Sequence, residues 1–160
     1  MAARKSAKKA AKKPAKRAAR RPKPKSAAKA RPSTGGLALA TASPSLTVND
    51  LAKSLAWYVD VVGFVLEERW EEGGVMVGAQ LLAGKVRFFV GQDDWKKGRD
   101  RKKGEGFRIY CQTTQDLDAL AKKIVARGGT LDYEPRTQPW GSRDFGLTDP
   151  DGFKFTIATP

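Results

Sequence analysis

The chain contains no histidine and a single cysteine, Cys111. The first absence removes imidazole, both as a metal ligand and as the base of a Ser-His or Cys-His pair. The second excludes an intrachain disulfide and suits a reducing cytoplasm. Residues 1–36 contain no Asp or Glu, no aromatic residue and no Leu, Ile or Val. Nothing in that stretch offsets the entropy of ordering a chain, so it is expected to be a disordered tail. Without an apolar run it is not expected to act as a secretory signal. No stretch of the sequence is long and apolar enough to span a bilayer as a helix, so no membrane partner is expected.

What the tail does hold is charge of one sign. Fourteen of the 31 Lys and Arg residues lie within residues 1–36, and the rest of the chain balances at 17 basic against 17 acidic side chains. The tail cations come largely as dyads on a four-residue step: Arg4-Lys5, Lys8-Lys9, Lys12-Lys13, Lys16-Arg17 and Arg20-Arg21. Ala, Ser and Pro separate them. As a helix the dyads would form one broad stripe, which Pro14 would strain in the middle. A flexible polycation of this kind releases condensed counterions from duplex DNA or RNA without reading bases. The ten dyad residues are therefore the expected nucleic-acid contacts, with DNA as the partner and a cytoplasmic, nucleoid-associated location. A solubilising extension, an adhesive tail for acidic membranes and a transit peptide are the alternatives. The pattern resembles the tails of linker histones and the basic arms of some bacterial nucleoid proteins.

Residues 37–160 are enough for one domain with a hydrophobic core. They contain an internal repeat at a spacing of 66: Thr47, Asp50, Leu51 and Gly63 recur as Thr113, Asp116, Leu117 and Gly129. In both copies a short apolar strand runs into an Asp that starts a helix. Leu51, Leu55, Tyr58 and Val62 share one helical face, as do Leu117, Leu120, Ala121, Ile124 and Val125. Three strand-like runs follow each helix, first in 64–70, 75–82 and 86–90, then in 130–134, 143–148 and 153–157. Units of about 40–91 and 106–160 are thus joined by a basic loop, 92–105, with Trp95 among six Lys and Arg residues.

Two βαβββ units in tandem form an α+β chain with a curved mixed sheet. Val48-Asn49-Asp50-Leu51, Trp57-Tyr58, Gly63-Phe64 and the run from Pro139 to Phe145 leading to Asp149-Pro150-Asp151-Gly152 resemble the vicinal-oxygen-chelate superfamily. That group includes glyoxalase I, extradiol dioxygenases, and fosfomycin- and bleomycin-resistance proteins. The terminal run is most similar to the bleomycin-resistance branch. The resemblance implies a ligand cup, and a homodimer that completes it.

Metal enzymes of that superfamily hold their ion with His, Gln or Glu. Counted from the helix starts and the final turn, the ligand positions fall here on Ser43, Ile109 and Thr156 and near Phe88. These are not a competent ligand set, so neither metal nor other cofactor is expected. Asp60, Glu67, Glu68 and Asp144 are available for acid/base work but read as solvated positions. Family geometry turns the Thr156 side of the last strand to the cup, and by the same logic Phe88 and Cys111 inward, while Trp140, Arg143 and Phe145 border it. Phe88, Cys111, Trp140, Arg143, Phe145 and Thr156 are thus the expected ligand-binding residues, for a planar or anionic organic molecule. The expected function is a metal-free small-molecule-binding protein tethered to nucleic acid. A glyoxalase-like lyase or isomerase, and a nucleoid-associated structural protein that uses the domain to dimerise, are the alternatives.

Overall fold

Each predicted unit begins with a strand whose alternation separates apolar from polar side chains. In the computed structural model, which describes residue 37 and residues 39–160, β1 (Ser45–Val48) buries Leu46 and Val48 and leaves Ser45 and Thr47 exposed. The tail with its ten dyad cations lies outside the described residues. Next come α1 (Leu51–Ala56), continued by a π-helical segment Trp57–Val62, then β2 (Val65–Glu72), β3 (Val75–Ala83) and β4 (Val86–Gln92). The second unit repeats the order as β5 (Arg108–Gln112), α2 (Leu117–Ala126), β6 (Leu131–Thr137), β7 (Arg143–Thr148) and β8 (Lys154–Ala158).

The helix starts are set by side chains that accept from orphan backbone N–H groups. Asp50 accepts from Lys53 N at 3.0 Å, and Asp116 from Asp118 N and Ala119 N at 3.0 and 3.1 Å. The first helix departs from the expected α-helical period. Gly63 N and Phe64 N both donate to the Tyr58 carbonyl, at 3.0 and 2.9 Å, so the last turns are wider than α. The β-branched Val59, Val61 and Val62 crowd an α-helical turn, and the wider turn still leaves Leu51, Ser54, Leu55 and Tyr58 buried. In α2 the buried stripe is Leu117, Ala121 and Ile124; Val125, expected on it, is exposed.

The strands form two four-stranded mixed sheets, in the orders β1-β4-β3-β2 and β5-β8-β7-β6. In each, the first and last strands of the unit pair in parallel and the other neighbours are antiparallel. One face of each sheet contributes to a common core. Leu46, Val48, Leu81, Phe88 and Val90 come from the first, and Ile109, Phe145, Leu147 and Phe155 from the second. Rings of Trp57, Tyr58, Phe64, Phe88 and Phe155 meet there at centroid separations from 4.9 to 6.4 Å.

The Asp149–Gly152 turn fastens the second unit to the first helix. Asp151 accepts from Asn49 N (2.8 Å) and Ser54 Oγ (3.1 Å), and Asp149 accepts from the buried Tyr58 hydroxyl (2.7 Å). Burial pushes the Asp149 carboxyl upward, against the opposing pull of Tyr58 and of the Phe153 and Asp151 backbone N–H groups. The 92–105 connection is also tied down. Asp93 is almost fully buried, accepts from Trp95 N (2.9 Å) and Arg101 Nη2 (2.6 Å), and stands 2.7 Å from Lys103 Nζ. These partners, Lys103 first, hold its carboxyl well below the usual range.

Candidate ligand-binding face

Strand parity decides which residues can meet a ligand, because successive side chains point to opposite sides of a sheet. In β5, Ile109 and Cys111 turn into the core, so Arg108 and Tyr110 turn outward. β5 pairs with β8 so that Tyr110 lies beside Thr156, and β7 places Gly146 beside Thr156 and Asp144 beside Ala158. The face away from the core therefore carries Arg108, Tyr110, Thr156 and Asp144. From β6 come Tyr133, opposite Gly146, and Arg136, opposite Asp144. With Gln138 and Trp140 from the loop after β6, these side chains line a cavity of about 360 Å³.

The polar floor is hydrogen-bonded. Arg108 Nη1 donates to Thr156 Oγ1 at 2.9 Å, and Gln138 Nε2 donates to Asp144 Oδ1 at 2.6 Å. Asp144 is only 2% exposed. Tyr133 lies flat on the sheet because residue 146 is glycine: a Cβ there would stand 2.5 Å from the Tyr133 ring. Arg136 stacks on that ring, 4.4 Å from its centroid. Burial raises the Tyr133 phenol and the Asp144 carboxylate adds to the rise, while the Thr156 hydroxyl and the Arg108 charge oppose it. Trp140 forms the rim, its Nε1 donating to Ser142 Oγ at 2.8 Å. A second cavity of about 360 Å³ abuts the first. It shares Arg108 and is bounded by Lys103, Phe107, Lys154 and the turns at Gly104 and Gly152.

The corresponding face of the first sheet uses the same device with different chemistry. Trp70 lies flat over Gly78, where a Cβ would stand 2.7 Å from the indole, and packs on Phe89 at 5.7 Å. Beside it, Glu67 accepts from Gln80 and pairs with Arg87 at 3.3 Å. Those bonds, Arg87 first, lower the Glu67 carboxyl.

Residues 37–157 match the family described as Glyoxalase/Bleomycin resistance protein/Dioxygenase superfamily. The chain belongs to that superfamily. Among solved structures of similar fold is TioX from Micromonospora sp. ML1, at 21% identity and a TM-score of 0.61 over 73% of this chain and 95% of that one. A superfamily member from Sphaerobacter thermophilus DSM 20745 is 26% identical, with a TM-score of 0.59 over 74% of this chain and 94% of its own. A glyoxalase/bleomycin resistance protein/dioxygenase from Nocardioides is 17% identical, with a TM-score of 0.62 over 79% and 87%. No curated protein matches the chain.

Within this superfamily fold, the side chains on the two open faces do not fit a divalent metal. The second face offers two carboxylates: Asp144, already engaged by Gln138 and set among Arg108 and Arg136, and Asp132, which accepts from Thr148 Oγ1 at 2.8 and 2.9 Å. The first offers Glu67, tied to Arg87, and Glu68, opposite Gln80. Among the described residues no three His, Cys, Asp or Glu side chains cluster.

Of the six residues expected at the ligand, the superfamily fold brings Thr156 and Trp140 to the cavity. The other four belong elsewhere. Phe88 and Phe145 are core side chains, and Cys111 packs against the core, where burial raises its thiol. Arg143 turns to the helix side and forms a two-pronged pair with Asp118 of α2, at 2.7 and 3.0 Å. The reason is parity: apolar residues point to the buried side, so the cavity receives the polar neighbours of those expected there. Arg108 and Tyr110 were legible in the alternation of β5; Tyr133 was not, because Leu131 two residues earlier packs on the core and a register shift after it turns Tyr133 to the open face. Nor was Arg136, because it reaches the face of Tyr133 only through a register shift between them.

Proposed function

We propose that this chain is a metal-free binding module of the bleomycin-resistance type for a planar, anionic organic molecule, held at nucleic acid by its basic tail. The observation that carries the reading is Arg108, anchored on Thr156 and set among Tyr110, Tyr133 and Trp140 on an open face. Aromatic walls with a fixed guanidinium suit a ring bearing a carboxylate or sulfonate. A panel of aromatic carboxylates, read by thermal shift on the full chain, tests it. Arg108→Gln is expected to weaken a bound acid by roughly 10- to 100-fold, the worth of a charge-assisted hydrogen bond. No shift from any acid, or an unchanged affinity in the variant, would overturn the reading.

The tail supports a place at the nucleoid, and the faces support a homodimer. Glu67, Glu68 and Trp70 on or beside the first open face complement Arg108, Arg136 and Tyr110 on the second. In a two-fold pair the first face of each protomer would stand across a cleft from the second face of its partner, which keeps the second face open to a ligand. Light scattering at micromolar concentration is expected to give twice the chain mass; the mass of a single chain would contradict it.

A further inference from the structure

Four aromatic side chains among the described residues are exposed: Trp70, Phe107, Tyr110 and Trp140. Three of them border the two adjoining cavities at the second sheet, at 48%, 53% and 71% exposure for Phe107, Tyr110 and Trp140. Exposed rings on one sheet face carry an unfavourable hydration cost that a ligand relieves. Cations alternate with them: Arg108 is shared by both cavities, Lys154 lies in one and Arg136 in the other. The acids nearby are engaged, Asp144 by Gln138, Asp132 by Thr148 and Glu105 by Lys102 at 3.5 Å. Charge and shape thus favour a ligand with several flat rings joined by anionic links.

From this arrangement we infer that the open face of the second sheet is a stacking platform for single-stranded nucleic acid. A four-stranded sheet with rings on its face is a geometry on which two or three bases stack, and aromatic stacking with Arg support tolerates any base. Bases lie on Tyr110 of the β5 edge and on Trp140, with Tyr133 and Arg136 on β6, the opposite edge strand. The intervening phosphates run past Arg108 and Lys154. The inference deepens the proposed function by naming the planar anion as a nucleotide unit of a strand, and it rests on the reading of this face as a binding face. It also separates two roles within one chain, since tail cations meet phosphates irrespective of strand form.

The test compares a short oligothymidylate with an abasic strand of equal length, using the full chain at about 0.3 M salt, where phosphate contacts are weakened. Tail binding is equal for the two strands, so their affinity ratio isolates the bases. Each ring that carries a base is worth about 5- to 150-fold. The intact chain is expected to prefer the oligothymidylate by at least that lower factor. Tyr110→Ala and Trp140→Ala, both at exposed positions, are expected to remove most of the preference and leave abasic affinity unchanged. A ratio near one overturns the inference, as does a preference that both variants keep. If the ratio is near one while aromatic carboxylates still bind through Arg108, the platform alone falls. If neither ligand class binds, the proposed function falls with it.

Discussion

Removal of residues 1–36 is expected to abolish binding to duplex DNA while residues 37–160 remain folded. In the intact chain, affinity is expected to fall about 10³- to 10⁵-fold between roughly 50 and 200 mM salt if about 6 to 10 of the tail cations meet phosphates. Fourteen cations without a neighbouring acid in sequence have no local competitor for those phosphates, and the remainder of the chain has no formal net charge. The rival source of positive field is the loop before β5. Of its six Lys and Arg residues, Lys96, Arg101, Lys102 and Lys103 stand within ion-pair distance of Asp94, Asp93, Glu105 and Asp93 respectively. Their field is largely cancelled at the loop itself. Titration of labelled duplex into the full and shortened chains at two salt concentrations checks this. Retention of most of the affinity by the shortened chain would move the duplex site to the loop.

Phe88→Ala is expected to destabilise the domain by about 3 to 5 kcal/mol, the usual cost of emptying a buried phenylalanine site. Phe88 is buried among Phe64 and Phe155, with ring centroids 5.1 and 6.1 Å away, so neighbouring rings cannot easily collapse into the space. A melting temperature lower by about 10 to 20 °C follows for a domain of this size. Below that temperature the binding of an aromatic acid should persist, since Phe88 points away from Arg108. A normal melting temperature with lost ligand affinity would return Phe88 to the cavity.

Phe88 also illustrates how far the sequence could be read. The two helix starts at Asp50 and Asp116, the 66-residue repeat and the strand runs all follow local rules, and the structure carries them with strand edges shifted by at most three residues. The superfamily was legible for the same reason, since it is carried by that order of elements. Side-chain direction was harder. Phe88 and Phe89 are adjacent and both apolar, so alternation leaves open which one faces the core; burial of Leu81 opposite Phe88 decides it. In β5 the alternation was informative, and Arg108 and Tyr110 could have been placed outward from Ile109 and Cys111 alone. Two features needed three dimensions. The flat seating of Tyr133 on Gly146 depends on contact across strands, and the Arg143–Asp118 pair joins a strand to a helix start 25 residues earlier.

The order of strands within each sheet also governs when the protein can fold during synthesis. β4 and β8 are made last in their units, yet each sits inside its sheet beside the strand made first. Neither sheet can close until its final strand has left the ribosome. The Asp149–Gly152 turn extends this wait to the first unit, because the partners of Asn49, Ser54 and Tyr58 are translated about a hundred residues after them. Pairings this distant in sequence slow folding. Nascent chains holding only the first unit would present the apolar sides of its sheet and helix without their cover, the condition under which a growing chain depends most on chaperones.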